Sequence, residues 1–266
     1  MNFEQLAKIE NESERVNRTY DIFNEDTRLN HSKATRVEFR TTVHYIEKYL
    51  TDGDKILDIG AGAGEYSLYF ARKGYEVSAL ELADANIAAF KKKLTPEDKI
   101  DLVQGNALDL SRYADNSFDI VLLLGPLYHL KNDADKQKCI SEAKRVCKVG
   151  GKIFFAFISN DFVFLTEFCY DINYFSNGDY DKDTFKLNDF PFVFHTVGTA
   201  RNLLQRCAIN ILHEVASDGA SELLAMRINE MSEEDFAQYL RYHFYICEKP
   251  EMIGMSNHLL FVGEIK

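Results

Sequence analysis

Between residues 55 and 158 the chain repeats one pattern, a short apolar run followed by a segment with apolar residues at helical spacing. Residues 55–59, 75–80, 100–104, 118–124 and 152–158 read as strands, the fourth almost wholly apolar. Residues 35–50 (Phe39, Val43, Ile46, Leu50), 65–73, 84–94 and 132–147 read as helices. Gly74 ends the second of these and Pro96 bounds the third. Strands without a polar face must be covered on both sides. The expectation is therefore βαβ units and an α/β fold, doubly wound around a mostly parallel sheet.

Beyond Asn160 the rhythm breaks. Residues 154–194 hold fourteen aromatics in forty-one positions, interrupted by the polar stretch 176–179. Regular signals return with a helix over 199–207, a strand over 208–215, a helix over 232–247 and a last strand over 258–265. We read one domain: an N-terminal cap segment (1–50), a ligand-binding core (51–158), an inserted aromatic lid (159–194) and a C-terminal part of the sheet (195–266). Exposed aromatics on the insert would serve an oligomer contact as readily as a lid.

The stretch "KILDIGAGAGEYS", residues 55–67, places three glycines in five positions between the first strand and its helix. Such a loop lets backbone approach a ligand closely. A dinucleotide loop of the form G-x-G-x-x-G requires a third glycine at position 65, where this chain has Glu65. A P-loop requires a Lys after its last glycine, and none follows Gly62 or Gly64. An acid at the helix N-terminus suits the helix dipole and leaves little call for an anionic ligand there. A nicotinamide oxidoreductase is accordingly the weakest reading.

The motif "LDIGAGAG" resembles the first motif of class I S-adenosylmethionine-dependent methyltransferases, with Asp58, Gly60, Gly62 and Gly64 at the matching positions. The resemblance covers about residues 50–160. It implies a Rossmann-like, seven-stranded sheet and S-adenosyl-L-methionine as cofactor, leaving as S-adenosyl-L-homocysteine. It also implies an acid after strand two that holds the ribose hydroxyls. Glu81 fills that place, and a carboxylate has enough acceptor sites for both. After strand three, Asn106-Ala107 stands where relatives often carry Asp and a small residue, and Val149 replaces a Pro before Gly150-Gly151. The cofactor site so implied comprises Tyr20, Asp58, Gly60, Ala61, Gly62, Gly64, Tyr66, Glu81, Leu82, Asn106, Ala107, Leu124 and Gly125.

Strand four ends in "GPLYHL", at the sheet edge where open α/β folds bind ligands. Gly125 stands where methyltransferases of nucleobase amines carry Asn or Asp. The GPLYHL form resembles a group of bacterial methyltransferases thought to act on small molecules, as do "YDIFNEDTRL" (20–29) and "VEFRTT" (37–42), segments that fold over the cofactor mouth there. His129 is the candidate general base, with Tyr128 beside it, since neutral imidazole suits proton removal. A purely pocket-shaping role for His129 is an equal alternative. His195 and His258 are secondary candidates for substrate contact, and His195 reads more readily as a loop or helix-start residue. The residues suggest no metal site.

A net charge of −11, with no dense basic run, makes nucleic acid a poor partner. The triple lysine 91–93 reads as a solvated helix end. Five scattered cysteines without a C-x-x-C pair, a polar N-terminus and no apolar run long enough to span a bilayer fit a cytoplasmic, membrane-free protein, monomer or homodimer. The expected function is methyl transfer to a small-molecule substrate. An RNA or protein acceptor, and a non-catalytic S-adenosylmethionine sensor, are the alternatives.

Overall fold

The structure, a computed structural model, describes residues 3–23 and 25–266. Met1, Asn2 and Asn24, the last within the 20–29 segment, lie outside the described residues. The elements run α1 (Phe3–Ala7), α2 (Glu12–Thr19), α3 (Lys33–Glu47), β1 (Lys55–Ile59), α4 (Glu65–Arg72), β2 (Glu76–Glu81), α5 (Asp84–Lys93), β3 (Ile100–Gln104) and β4 (Phe118–Leu123). After a single turn at Pro126–Tyr128 come α6 (Asp133–Val146), β5 (Cys147–Ser159), α7 (Asn160–Tyr170), α8 (Tyr174–Asn177) and β6 (Phe194–His195). The chain closes with α9 (Val197–Arg206), β7 (Asn210–Ala216), α10 (Ala225–Asn229), α11 (Glu233–Ile246) and β8 (His258–Glu264).

Among the described residues the strands form one sheet in the order β3-β2-β1-β4-β5-β8-β7, with the two-residue β6 beside β5. Strands β1 to β5 pair in parallel, and β8 runs antiparallel between β5 and β7. This is the doubly wound, mostly parallel α/β sheet read from the sequence. The winding direction reverses between β1 and β4, so the crevice at their carboxyl ends is where this topology places a ligand. Alternate residues of each central strand feed two cores. Leu57, Val121, Ile153 and Phe155 pack with Cys139, Ile140 and Ala143 of α6, while Ile56, Ile120, Leu122 and Phe154 pack with Phe39, Val43 and Ile46 of α3 and Phe70 of α4. Burial on both faces explains why these strands lack a polar face.

Boundaries differ from expectation where turn chemistry outweighs periodicity. Helix α3 starts at Lys33 because Ser32 and Thr35 form a reciprocal capping box, two residues ahead of the expected start. Strand β5 begins at Cys147, ahead of the glycines. Gly150 (φ +80°) and Gly151 lie inside it and hydrogen-bond Ile265, and the register against β4 shifts there. Strand β7 begins at Asn210 because Ala208, at φ +53°, and Ile209 still close the end of α9. The aromatic insert contains α7, which periodicity did not reveal because its apolar residues do not fall on one face. It closes a small core of its own around Phe164, Tyr180 and Leu187.

Candidate active site

The glycine loop is fixed by its neighbours before any ligand enters. The amides of Gly60 and Ala61 both donate to Leu80 O, at 2.7 and 3.1 Å, tying the loop to β2. Gly60 (φ +74°) faces Pro126, and a Cβ there would lie 2.7 Å from the proline ring. Gly62 (φ +56°) meets nothing within 4 Å and borders open space. Gly64 (φ +85°) has a different task. A Cβ would fall 2.4 Å from the ring of Phe90, so this glycine lets α4 pack against α5 and does not line the cavity.

That cavity, about 970 Å³ counted to its open mouth, sits at the β1/β4 crevice. Of the residues expected from the sequence, Tyr20, Asp58, Gly60, Ala61, Gly62, Tyr66, Glu81, Leu82, Asn106, Ala107, Leu124, Gly125, Tyr128 and His129 line it. Gly64, His195 and His258 do not. Glu81 is buried at the end of β2, where its Oε2 accepts from Gly62 N at 2.7 Å and its Oε1 from Ala83 N at 2.8 Å. Asp58 is buried too and accepts from Ser67 Oγ at 2.7 Å. Burial raises both carboxyls, Asp58 to about 7, with Glu81 adding to the rise at Asp58. Among the described residues no basic side chain hydrogen-bonds to either. Ser67 had no role in the sequence reading, although its place one turn into α4 put it within reach of Asp58.

The cover of the cavity is the N-terminal segment, which contributes Glu12, Ser13, Val16, Tyr20, Glu25, Arg28 and Leu29. It is pinned to the strand ends by polar contacts. Asn106 Nδ2 donates to Ser13 Oγ at 2.9 Å while its Oδ1 accepts from Leu108 N, so the carbonyl expected to face an adenine amine already caps its own loop. Asn17 bonds Asp84, and Lys93 joins Asp26 at 2.8 Å and Glu65 at 2.5 Å. Glu65, which decided against a dinucleotide loop, also accepts from Asn30. The 159–194 insert stands one layer out and supplies none of the lining. It reaches the site through Phe192, whose ring packs on Phe23, Tyr128 and His129, and through Val193 N, which donates to Tyr128 O at 2.8 Å.

His129 Nε2 lies 2.7 Å from Tyr20 Oη, the two rings meeting edge to face. Burial, aided by Arg15, pushes its pKa down to about 3, so the imidazole is neutral and takes up a proton poorly. His195 is a core residue. It packs edge-on against Phe157, its Nδ1 is 3.5 Å from Thr199, its Nε2 is unpartnered among the described residues, and burial lowers its pKa to about 4. His258 stands one shell behind the cavity in a chain of charges absent from the sequence reading. Arg28 Nε donates to Glu25 at 2.9 Å and its Nη1 to Glu38 at 2.7 Å; Glu38 lies 3.5 Å from His258 Nδ1, which bonds Asp218 at 2.7 Å. Against the effect of burial, Glu38 and Asp218 push His258 up to about 9, and His258 holds Asp218 low. Glu38, Asp218 and His258 have the composition of a metal-binding trio. Their facing atoms are already engaged, however, with Arg28 and with one another. Asp218 follows β7 and His258 opens β8, so only the antiparallel pairing of the C-terminal strands brings them together.

Comparison with known proteins agrees with this geometry. A family model described as "Methyltransferase domain" matches residues 57–155. The chain is similar to a demethylmenaquinone methyltransferase of Clavibacter sepedonicus, 32% identical over 120 residues, 45% of this chain and 47% of that one. It is also similar to a ubiquinone/menaquinone biosynthesis C-methyltransferase of Haemophilus ducreyi, 35% identical over 107 residues, 38% and 40% of the two chains. The chain spans less than half the length of these relatives. Among solved structures, the fold matches a SAM-dependent methyltransferase from Methanosarcina mazei (TM-score 0.54, 20% identity, 83% of this chain and 96% of that one). It also matches the [4+2]-cyclase SpnF (TM-score 0.61, 16% identity, 95% and 96%). A cavity with two buried acids, an open glycine turn and, in its lining, one arginine already bonded to Glu25 and Glu38 fits a cationic, phosphate-free nucleoside. Residues 57–155 match a methyltransferase-domain model, and the sheet around them has the Rossmann-like fold of the SAM-dependent methyltransferase from Methanosarcina mazei.

Proposed function

We propose that the chain is an S-adenosylmethionine-dependent methyltransferase acting on a small-molecule acceptor. The observation that carries this reading is the position of the acceptor space. The cofactor loop and the Pro126–Tyr128 turn open into one cavity, which the N-terminal segment roofs over. Gly62 and Asp58 would hold the methionine end of the cofactor, Glu81 the ribose hydroxyls, and Leu82, Asn106 and Ala107 would flank the adenine. When bound, the cofactor supplies a methyl group already activated on sulfur.

What remains for the chain is alignment and exclusion of water, contributions worth up to about 7–11 kcal/mol in favourable cases. Tyr128, on the turn after β4, faces the reacting end. His129 acts by holding Tyr20, and with it the roof, since a neutral ring with its Nε2 engaged and a pKa near 3 is a weak base. Demethylmenaquinone is the acceptor in the name of the similar protein from Clavibacter sepedonicus, and it is one compound to try.

Incubation of the protein with methyl-tritiated S-adenosylmethionine and a size-fractionated cell extract tests the reading. Label appearing in the small-molecule fraction is the expected result. Label in RNA or protein overturns the acceptor class, and cofactor binding without any transfer identifies a non-catalytic binder.

A further inference from the structure

We propose that the acceptor is recognised as a small organic cation, an amine in its ammonium form, seated between Glu25, Arg28 and Tyr128, and that it passes one N–H proton to the Glu25 carboxylate, which frees the nitrogen lone pair to accept the methyl group. The inference rests on the methyl-transfer reading of the cavity and specifies its substrate. Arg28, Glu25 and Tyr128 line the same cavity as the residues assigned to the cofactor and are not among the groups that would hold it. Glu38, Asp218 and His258 stand directly behind them.

The charges there do not cancel. Glu25, Glu38 and Asp218 make three anions against two cations, Arg28 and the protonated His258, so the group is one positive charge short. The cofactor does not make up the difference. Its net single positive charge meets Asp58 and Glu81, two further acids with no basic side chain bonded to them among the described residues. Charges withdrawn from water are costly unless paired, so this space favours a guest that brings the missing cation.

Arg28 is poorly placed to clamp an anion instead, because three of its five N–H groups already donate to Glu25 and Glu38, two carboxylates that outweigh its single charge. A carboxylate guest would set four anions against two cations. Glu25 binds Arg28 through Oε2, and its Oε1 has no hydrogen-bond partner among the described residues; the Tyr128 hydroxyl is likewise free. Both can therefore accept from an ammonium group. The rings of Tyr20, Tyr66 and Tyr128 in the same wall add faces that favour a cation over a neutral guest.

The test uses the protein saturated with S-adenosylhomocysteine, titrated calorimetrically at pH 7 with three probes of one size: 2-phenylethylammonium, 2-phenylethanol and phenylacetate. The expected result is that the ammonium binds at least about tenfold more tightly than the other two. Glu25→Gln should bring the ammonium to within about threefold of the alcohol, and Glu38→Gln should shift it the same way. Equal or tighter binding of the alcohol or of phenylacetate, or no binding of the ammonium, overturns the inference and leaves the methyl-transfer reading intact. Failure of S-adenosylhomocysteine to bind at all overturns both.

Discussion

At the scale of single residues, the site depends on acids kept out of water. Asp58 is buried beneath the glycine loop with Ser67 as its hydrogen-bond donor, and burial raises it to about 7. A carboxyl whose folded pKa lies above its unfolded value favours the protonated form, so the ligand-free fold loses stability from this group as pH rises from about 4 to 7. A bound cation reverses that preference. Cofactor binding should then release a proton near neutrality, and affinity should rise between pH 6 and 8, by at most about tenfold per unit below pH 7. Calorimetry in two buffers of different ionisation enthalpy measures the proton count, and no proton release in either buffer would place the ionised form already in the free protein. Residue chemistry was legible in the sequence where one position decides it, as Glu65 and Glu81 do. It was hidden where the partner comes from a distant segment, as Ser13 does for Asn106 and Tyr20 for His129.

At the scale of elements, the glycine loop is a junction between two helices as much as a ligand loop. Gly64 combines a left-handed φ with contact on Phe90 of α5. Gly64→Ala should therefore destabilise the protein by about 2–5 kcal/mol in urea unfolding, the sum of backbone strain and overpacking. Shrinking the partner in Gly64→Ala/Phe90→Ala should recover part of the packing share, giving a total smaller than the sum of the single effects. Strict additivity would show that the two residues do not meet. The strands and helices of the core were legible because burial on both faces leaves continuous apolar runs in the sequence. The cover was not. Helix α2 is polar, with its buried positions taken by Arg15 and Thr19, so no apolar period announces it. The aromatic richness of the insert pointed to a lid, but its rings largely pack on one another, and Phe192 carries its contact with the site.

At the scale of the molecule, the charge chain Glu25–Arg28–Glu38–His258–Asp218 ties the N-terminal roof through α3 to the C-terminal strands. No element pairing seen in the sequence predicted it. His258, raised to about 9 by Glu38 and Asp218 despite burial, favours folding fully below its unfolded value near 6.5, and that contribution disappears as pH rises through 9. Urea unfolding between pH 6 and 9.5 should show a decline in stability that His258→Gln lacks; parallel curves for the two proteins would remove His258 from the network. Among the described residues no helix is long and apolar enough to cross a membrane. The most direct measurement of the central claim is calorimetric titration of S-adenosylhomocysteine, with NAD as the control, into the wild type and Glu81→Ala. Loss of two charge-assisted hydrogen bonds, at roughly 1.5–3 kcal/mol each and partly replaced by water, predicts binding to the wild type weakened more than tenfold by the substitution, and no binding of NAD. Unchanged affinity in Glu81→Ala, or NAD binding as tightly as S-adenosylhomocysteine, would contradict the account.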